Sequence, residues 1–174
     1  MATATNPVLS ACTADPLQLK AVVSAVDNCL MMCDAHARCV GISTIPIRDP
    51  GSITGMIGVH GDVSGFITVN LCERVALSLV GGLLQDQFDQ VDHQIIDGVG
   101  EVTNIIAGGI KNGLAGTHWG FSHVTVPSVI VGRNYQIAYA KGLQYLSATF
   151  EHENANVFML EERLLHVAIS LIRL

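Results

Sequence analysis

Asp97-Gly-Val-Gly-Glu101-Val-Thr-Asn104-Ile-Ile-Ala-Gly108-Gly-Ile-Lys111 is the stretch on which the reading of this chain turns. Wound at about 100° per residue, Asp97, Glu101, Asn104, Gly108 and Lys111 share one side of a helix, within roughly 100° of arc. Ile95, Val99, Val102, Ile106 and Ile110 share the other, within about 80°. An apolar face of that width lets a helix lie on a sheet. The polar stripe is narrow and carries a carboxylate, a carboxamide and a glycine in a row. A solubilising face would instead carry a ladder of Lys and Glu, so the stripe calls for a chemical explanation.

Around this helix the chain has 174 residues, enough for one domain that needs no disulfide or metal staple. Apolar residues make up 49% and charged residues 14%. The charged share lies well below the usual level of about 25%, so buried helices and strands covered on both faces are expected. The formal net charge of -6 lacks the clustered Lys and Arg that phosphate backbones require, which argues against nucleic acid and against anionic membrane surfaces. The segment 112–132 has no charged side chain, but its glycines, histidines, proline and hydroxyls rule it out as a membrane span. The first residues show no basic and apolar leader, so a cytoplasmic location is expected. Five cysteines are expected to be thiols there. Cys29, Cys33, His36 and Cys39 have the chemistry of zinc ligands, but the spacing lacks a Cys-x-x-Cys pair, and two thiols four residues apart on a helix pack well as small apolar groups.

The segment 1–14 reads as a flexible tail, leaving 15–174 as a single domain. Asp15-Pro16 starts a first long helix, an N-cap acceptor followed by the residue favoured at the first helical position. That helix is expected to end between Ala35 and Arg38. Gly41–Arg48 then reads as a strand, Asp49-Pro50-Gly51 as a turn, and Ile53–His60 and Phe66–Leu71 as strands around a loop at Gly61–Gly65. Cys72–Leu84 reads as a helix. The central helix begins at Asp89 or Asp92 and ends at Asn112 or Gly113. Strands are expected over Phe121–Val131, with Pro127 inside, over Gln136–Tyr139, over Gln144–Glu151, and over the last stretch, His166–Arg173, while Phe158–Leu165 before it has helical propensity. His152–Asn156 reads as a polar loop. Each half carries a long helix and then a proline-containing strand (Pro46, Pro127), a faint internal echo.

The central stripe also has a spacing: Asp97, three residues, Glu101, two residues, Asn104, twenty-two residues, Pro127. This pattern resembles the signature of the CheC–CheX–FliY group of bacterial phosphatases that act on phospho-CheY. Gly58-Val-His-Gly61-Asp62-Val-Ser-Gly65 and Gly100-Glu-Val-Thr-Asn-Ile-Ile-Ala-Gly-Gly109 extend the resemblance over roughly Leu17 to Glu151. The first helix offers Ser24, Asp27 and Asn28 but no Glu-x-x-Asn, so one site remains, as in the CheX-like branch. The resemblance implies an α+β fold of three layers, with two long helices packed on one face of a mainly antiparallel sheet and pseudo-repeated halves. It implies a homodimer and a phosphorylated CheY-like response regulator as partner. Glu101 and Asn104 are the expected catalytic residues, and Asp97, Gly108 and Lys111 the expected partner contacts. No cofactor or metal is expected on this chain, while Mg2+ is expected on the partner's receiver domain. A docking module for receivers that lacks hydrolysis is the alternative.

Overall fold

The computed structural model describes residues 14–46, 51–133, 135, 137, 139, 141–153 and 159–173. Three helices, α1 (Pro16–Met32), α2 (Glu73–Leu84) and α3 (His93–Leu114), accompany seven strands: β1 (Ala37–Ser43), β2 (Ile53–Gly61), β3 (Val63–Leu71), β4 (Phe121–Val124), β5 (Ser128–Val131), β6 (Gln144–His152) and β7 (Leu164–Arg173). The strands form one sheet in the order β1-β6-β7-β3-β2-β4, with β5 also pairing β2, and every pairing is antiparallel. The faint echo between the halves is explicit in this order. Exchanging β1 with β4 and β5, β2 with β6, and β3 with β7 reverses the order and reproduces the sheet. The two long helices α1 and α3 exchange under the same operation, and α2 is the insertion that breaks it.

The helices cover one face. Ile53, Ile57, Ile67, Val69, Leu71, Leu165, Val167, Ile169, Leu146 and Phe150 alternate toward them and are almost wholly buried. Ile95, Val99, Val102, Ile106 and Ile110 of α3 fill the same core, each contributing about 1.5–3 kcal/mol by burial. On the opposite face, the Asn70 amide donates to Thr54 Oγ1 at 2.7 Å and to the Tyr135 hydroxyl at 3.4 Å, and Thr54 and Tyr135 are themselves hydrogen-bonded. Tyr139 stacks on Phe66 at 5.7 Å and meets Tyr145 edge-on at 5.2 Å. Tyr135 and Tyr139, which follow β5, therefore lie on the sheet's second face, as a third layer.

Several expected boundaries move for identifiable reasons. The first helix stops at Met32, not between Ala35 and Arg38. Asp34 takes the left-handed conformation (φ 48°), and the Ala35 N–H returns to the Leu30 carbonyl at 2.9 Å, a closing motif normally signalled by glycine. The strand expected over Gly41–Arg48 begins at Ala37, and Thr44 and Ile45 already bend away before Pro46. The loop expected over Gly61–Gly65 contracts to Asp62, because Val63, Ser64 and Gly65 pair with Arg173, Ile172 and Leu171. Gly113 does not end the central helix but lies inside it against Ala21, and Gly116 supplies the positive φ of 73° beyond its end. His152 is the buried last residue of β6, not part of a loop. Over Gln136–Tyr139, the described residues Ile137 and Tyr139 are outside any strand. The segment 159–173 resolves into a short 3-10 turn (Leu160–Arg163) and the central strand β7. Residues 1–13 of the expected tail 1–14 and most of the turn at 49–51 lie outside the described residues.

One buried group on the second face carries a pH prediction. His166 of β7 is 6% exposed, and its Nδ1 lies 3.0 Å from Thr149 Oγ1. Burial pushes its pKa down to about 4, against about 6.5 in an unfolded chain. Between these values the unfolded chain binds the extra proton, so stability falls as pH drops through that window. The expected loss from pH 7 to pH 5 is about 2 kcal/mol. His152, also lowered by burial, adds in the same direction. Denaturant unfolding at the two pH values should show this loss in the native chain and a smaller one in His166→Gln. An equal loss in both would remove the assignment.

Candidate functional site

The stripe is displayed by a helix whose placement is fixed at several points. Asp92 caps it by accepting from the Ile95 N–H at 3.0 Å, worth about 1 kcal/mol. Gly98 meets Val80 of α2, and Gly109 and Gly113 meet Ala25 and Ala21 of α1. The two long helices therefore run antiparallel in close contact along small residues. Beneath α3, Gly55 of β2 faces Thr103 with no room for a Cβ, and Thr103 returns its hydroxyl to the Val99 carbonyl at 2.7 Å. A buried polar residue in the helix is thereby satisfied within the helix itself.

Pro127 has a visible task. It lies in the break between β4 and β5, where Thr125 holds the edge to β2 with both its N–H and its side chain. The Thr125 N–H donates to the Gly58 carbonyl at 2.9 Å, and the Gly58 N–H donates to Thr125 Oγ1 at 2.9 Å. A strand interior would suffer from the missing proline donor, but this break does not. Pro127 Cγ and Val129 Cγ2 sit 3.7 Å from where a Cβ on Gly100 would be, so the proline packs on the helix immediately before Glu101. The twenty-two-residue spacing thus joins the helix to the neighbouring sheet edge.

Asp97, Glu101 and Asn104 are exposed, and Gly108 and Lys111 are half-exposed. They stand on one side of α3, as their spacing predicts. At about 1.5 Å per residue, Asp97 to Lys111 spans about 21 Å, and Glu101 and Asn104 lie about 4.5 Å apart along the axis. Among the described residues, the side chains of Asp97, Glu101, Asn104 and Lys111 make no hydrogen bond or ion pair, whereas Asp15, Glu151 and Arg163 all do. The stripe is therefore free to meet another molecule. A Cβ at Gly108 would meet nothing within 4 Å, so this position is open. Gly109, by contrast, serves the contact with α1 and is not part of the open surface.

The equivalent helix α1 exposes Ser24, Asp27 and Asn28, and no Glu-x-x-Asn stands there. Cys29 and Cys33 are buried, and the Cys29 thiol lies 4.0 Å from the Val102 carbonyl of α3. A hydrogen bond between the two thiols raises the pKa of Cys29, with burial adding to it, and lowers that of Cys33. Cys39 is exposed on β1, and among the described residues no three His, Cys, Asp or Glu side chains gather as metal ligands. His118 lies 3.7 Å from Asp15, and the Trp119 indole donates to Asp15 at 2.8 Å, a structural cluster at the start of α1. Burial alone would raise the Asp15 carboxyl, but the bonds from Trp119 and from the backbone of Gln18 and Leu17 hold it below its usual value. No helix among the described residues is long and apolar enough to cross a membrane.

Comparison with known proteins identifies the fold and the family. The chain is 30% identical over 94 residues to the CheY-P phosphatase CheX of Thermotoga maritima, covering 52% of this chain and 59% of that protein. The match thus spans little more than half of that relative's length. A putative chemotaxis protein from Desulfovibrio vulgaris Hildenborough superimposes with a TM-score of 0.74 at 25% identity, over 88% of this chain and 96% of that one. The structure of the CheX-CheY-BeF3-Mg+2 complex from Borrelia burgdorferi provides a chain that superimposes with a TM-score of 0.69 at 23% identity, over 90% of this chain and 96% of that one. Residues 53–151, more than half of the chain, match the family described as chemotaxis phosphatase CheX. The segment includes β2, α3 with its whole stripe, and Pro127, and the chain belongs to the CheX family of chemotaxis phosphatases.

Proposed function

We propose that this protein hydrolyses the aspartyl phosphate of a CheY-like receiver domain. The observation that carries this reading is a rigidly held helix presenting Glu101 and Asn104, both exposed and without partners among the described residues, within a CheX-family domain. An aspartyl phosphate is an activated acyl phosphate, so positioning and electrostatics do most of the remaining work. A carboxamide can accept a hydrogen bond from the attacking water and donate one to a phosphoryl oxygen, and it brings no charge against the phosphate. Asn104 takes that role. The water oxygen bonds to phosphorus, the bond from phosphorus to the receiver carboxylate oxygen breaks, and the water's proton leaves on inorganic phosphate.

Glu101, one turn away, anchors the partner by pairing with a cation beside the phosphorylation site. Asp97 and Lys111 extend the contact, and Gly108 admits a close backbone. The metal that neutralises the phosphoryl group, Mg2+, belongs to the receiver, and this chain needs no cofactor of its own. We place the protein in the cytoplasm, where such receivers are phosphorylated. A homodimer is part of the proposal, supported by the outer edge of β1, which pairs with no further strand among the described residues and exposes Val40 and Ile42. Light scattering should give twice the chain mass, and a monomer at working concentration would remove this part.

The whole reading is tested by phosphate release from a receiver charged with a small phosphodonor. Substoichiometric protein should accelerate release over several turnovers. Binding without acceleration would leave a docking module. Glu101→Ala should weaken receiver binding about tenfold or more. Unchanged affinity in a titration would remove the anchor.

A further inference from the structure

The sheet edge beside the stripe exposes apolar residues that the fold does not use. Val126 is 85% exposed, the highest value among the exposed large hydrophobic side chains, and Val131 at the end of β5 is 54% exposed. Their backbone is nevertheless well fixed. Thr125 is tied to Gly58 on one side of Val126, and Thr125 Oγ1 donates to the Val126 carbonyl at 3.1 Å. Pro127, on its other side, packs against Gly100. Val129 and Val131 alternate onto the helix-facing side of the sheet, paired with Gly55 and Ile53. Gly55 lies under Thr103 of α3, so β5 runs alongside the helix that carries Glu101 and Asn104. The outer edge of β5 carries no further strand among the described residues.

We propose that this edge is the apolar half of the receiver-docking surface, with Val126 and Val131 as its anchors. The proposal rests on the functional reading above and adds to it the surface that sets affinity and partner choice. The stripe supplies polar and charged groups only, and a carboxylate-bearing strip alone gives orientation and encounter more than affinity. Specific interfaces place apolar anchors beside such polar groups. The occupant is the receiver because the edge is continuous with the stripe through the Pro127–Gly100 contact, so a body seated on Glu101 and Asn104 covers it. Exposed valines held by a fixed backbone lose little freedom on docking, which suits an anchor.

The test titrates the protein with a receiver activated by beryllium trifluoride and Mg2+, alongside steady-state dephosphorylation. Val126→Asp and Val131→Asp should each raise Kd and KM about tenfold. The rate at saturating receiver, the unfolding midpoint and the oligomeric mass should stay at wild-type values. Leu84→Asp, at the exposed end of α2, should change none of these. Wild-type Kd and KM in both edge variants overturn the proposal while hydrolysis by the native protein still stands. Loss of the dimer in either variant overturns it in favour of a second copy of this chain as occupant. A native protein that neither binds nor hydrolyses any receiver removes the functional reading, and this inference with it.

Discussion

Asn104→Ala is expected to slow receiver dephosphorylation by roughly 10²–10³-fold while leaving receiver affinity within a few-fold of native. Removing one preorganised group that acts on the reacting atoms typically has an effect of that size. The side chain is exposed, with no partner among the described residues. Its loss therefore leaves no buried group unsatisfied and should not unfold α3, where alanine is the better helix former. The effect belongs in kcat, because the water is oriented only in the complex. Asn104→Asp sharpens the test. It keeps shape and acceptors but places a carboxylate against the phosphoryl group, and it should be no better than alanine. A variant with Asp at full activity would mean that the residue acts as a general base and not as a neutral donor and acceptor. Rates under single-turnover conditions, with affinity measured separately, distinguish these outcomes.

Gly55→Ala is expected to destabilise the fold by about 3 kcal/mol, at the upper end of overpacking effects. A Cβ there would overlap the Thr103 hydroxyl and would lie 2.8 Å from Thr103 Cβ. A rotamer change relieves the hydroxyl but not the Cβ, so α3 must lift from β2. Because α3 carries the stripe, the folded fraction that remains should also show altered geometry at Glu101 and Asn104. Thr103→Ala in the same chain should recover part of the loss, giving a favourable coupling in a double-mutant cycle. Urea unfolding of the two single variants and the double variant measures this. A Gly55→Ala chain as stable as native would show that the helix does not sit as closely as described.

The central helix was legible in sequence because two independent patterns coincided on it. Apolar spacing set its buried face, and every residue on that face is buried, while the spaced polar residues fall on its open side. Asp15 and Asp92 likewise behave as caps. The faint echo of the halves became a topological symmetry only in three dimensions, since sequence carries no strand order. Other features were hidden for physical reasons. The end of α1 uses Asp34 in a conformation that sequence signals with glycine. Gly113 looks like a stop, but it and Gly109 are contacts with α1, a distinction set by a helix some ninety residues earlier. Val63–Gly65 read as loop because glycine and serine are poor strand formers, and pairing with β7 overrides that preference. Pro127 reads as lying inside one strand, but it falls in the break that divides that stretch into β4 and β5 at the sheet edge. That it also touches Gly100, and so ties Val126 to the site, depends on a tertiary contact. The sequence shows only a β-branched residue immediately before the signature proline, and the exposure of Val126 is set by the tertiary structure.

The most direct test is phosphate release from each receiver domain of the host, phosphorylated in turn and mixed with catalytic amounts of the native protein and of Asn104→Ala. Native protein should accelerate release from at least one receiver over many turnovers, and the variant should restore nearly the uncatalysed rate on that same receiver. Equal acceleration by both proteins, or none from any receiver that binds, would contradict hydrolysis by a water held at Asn104.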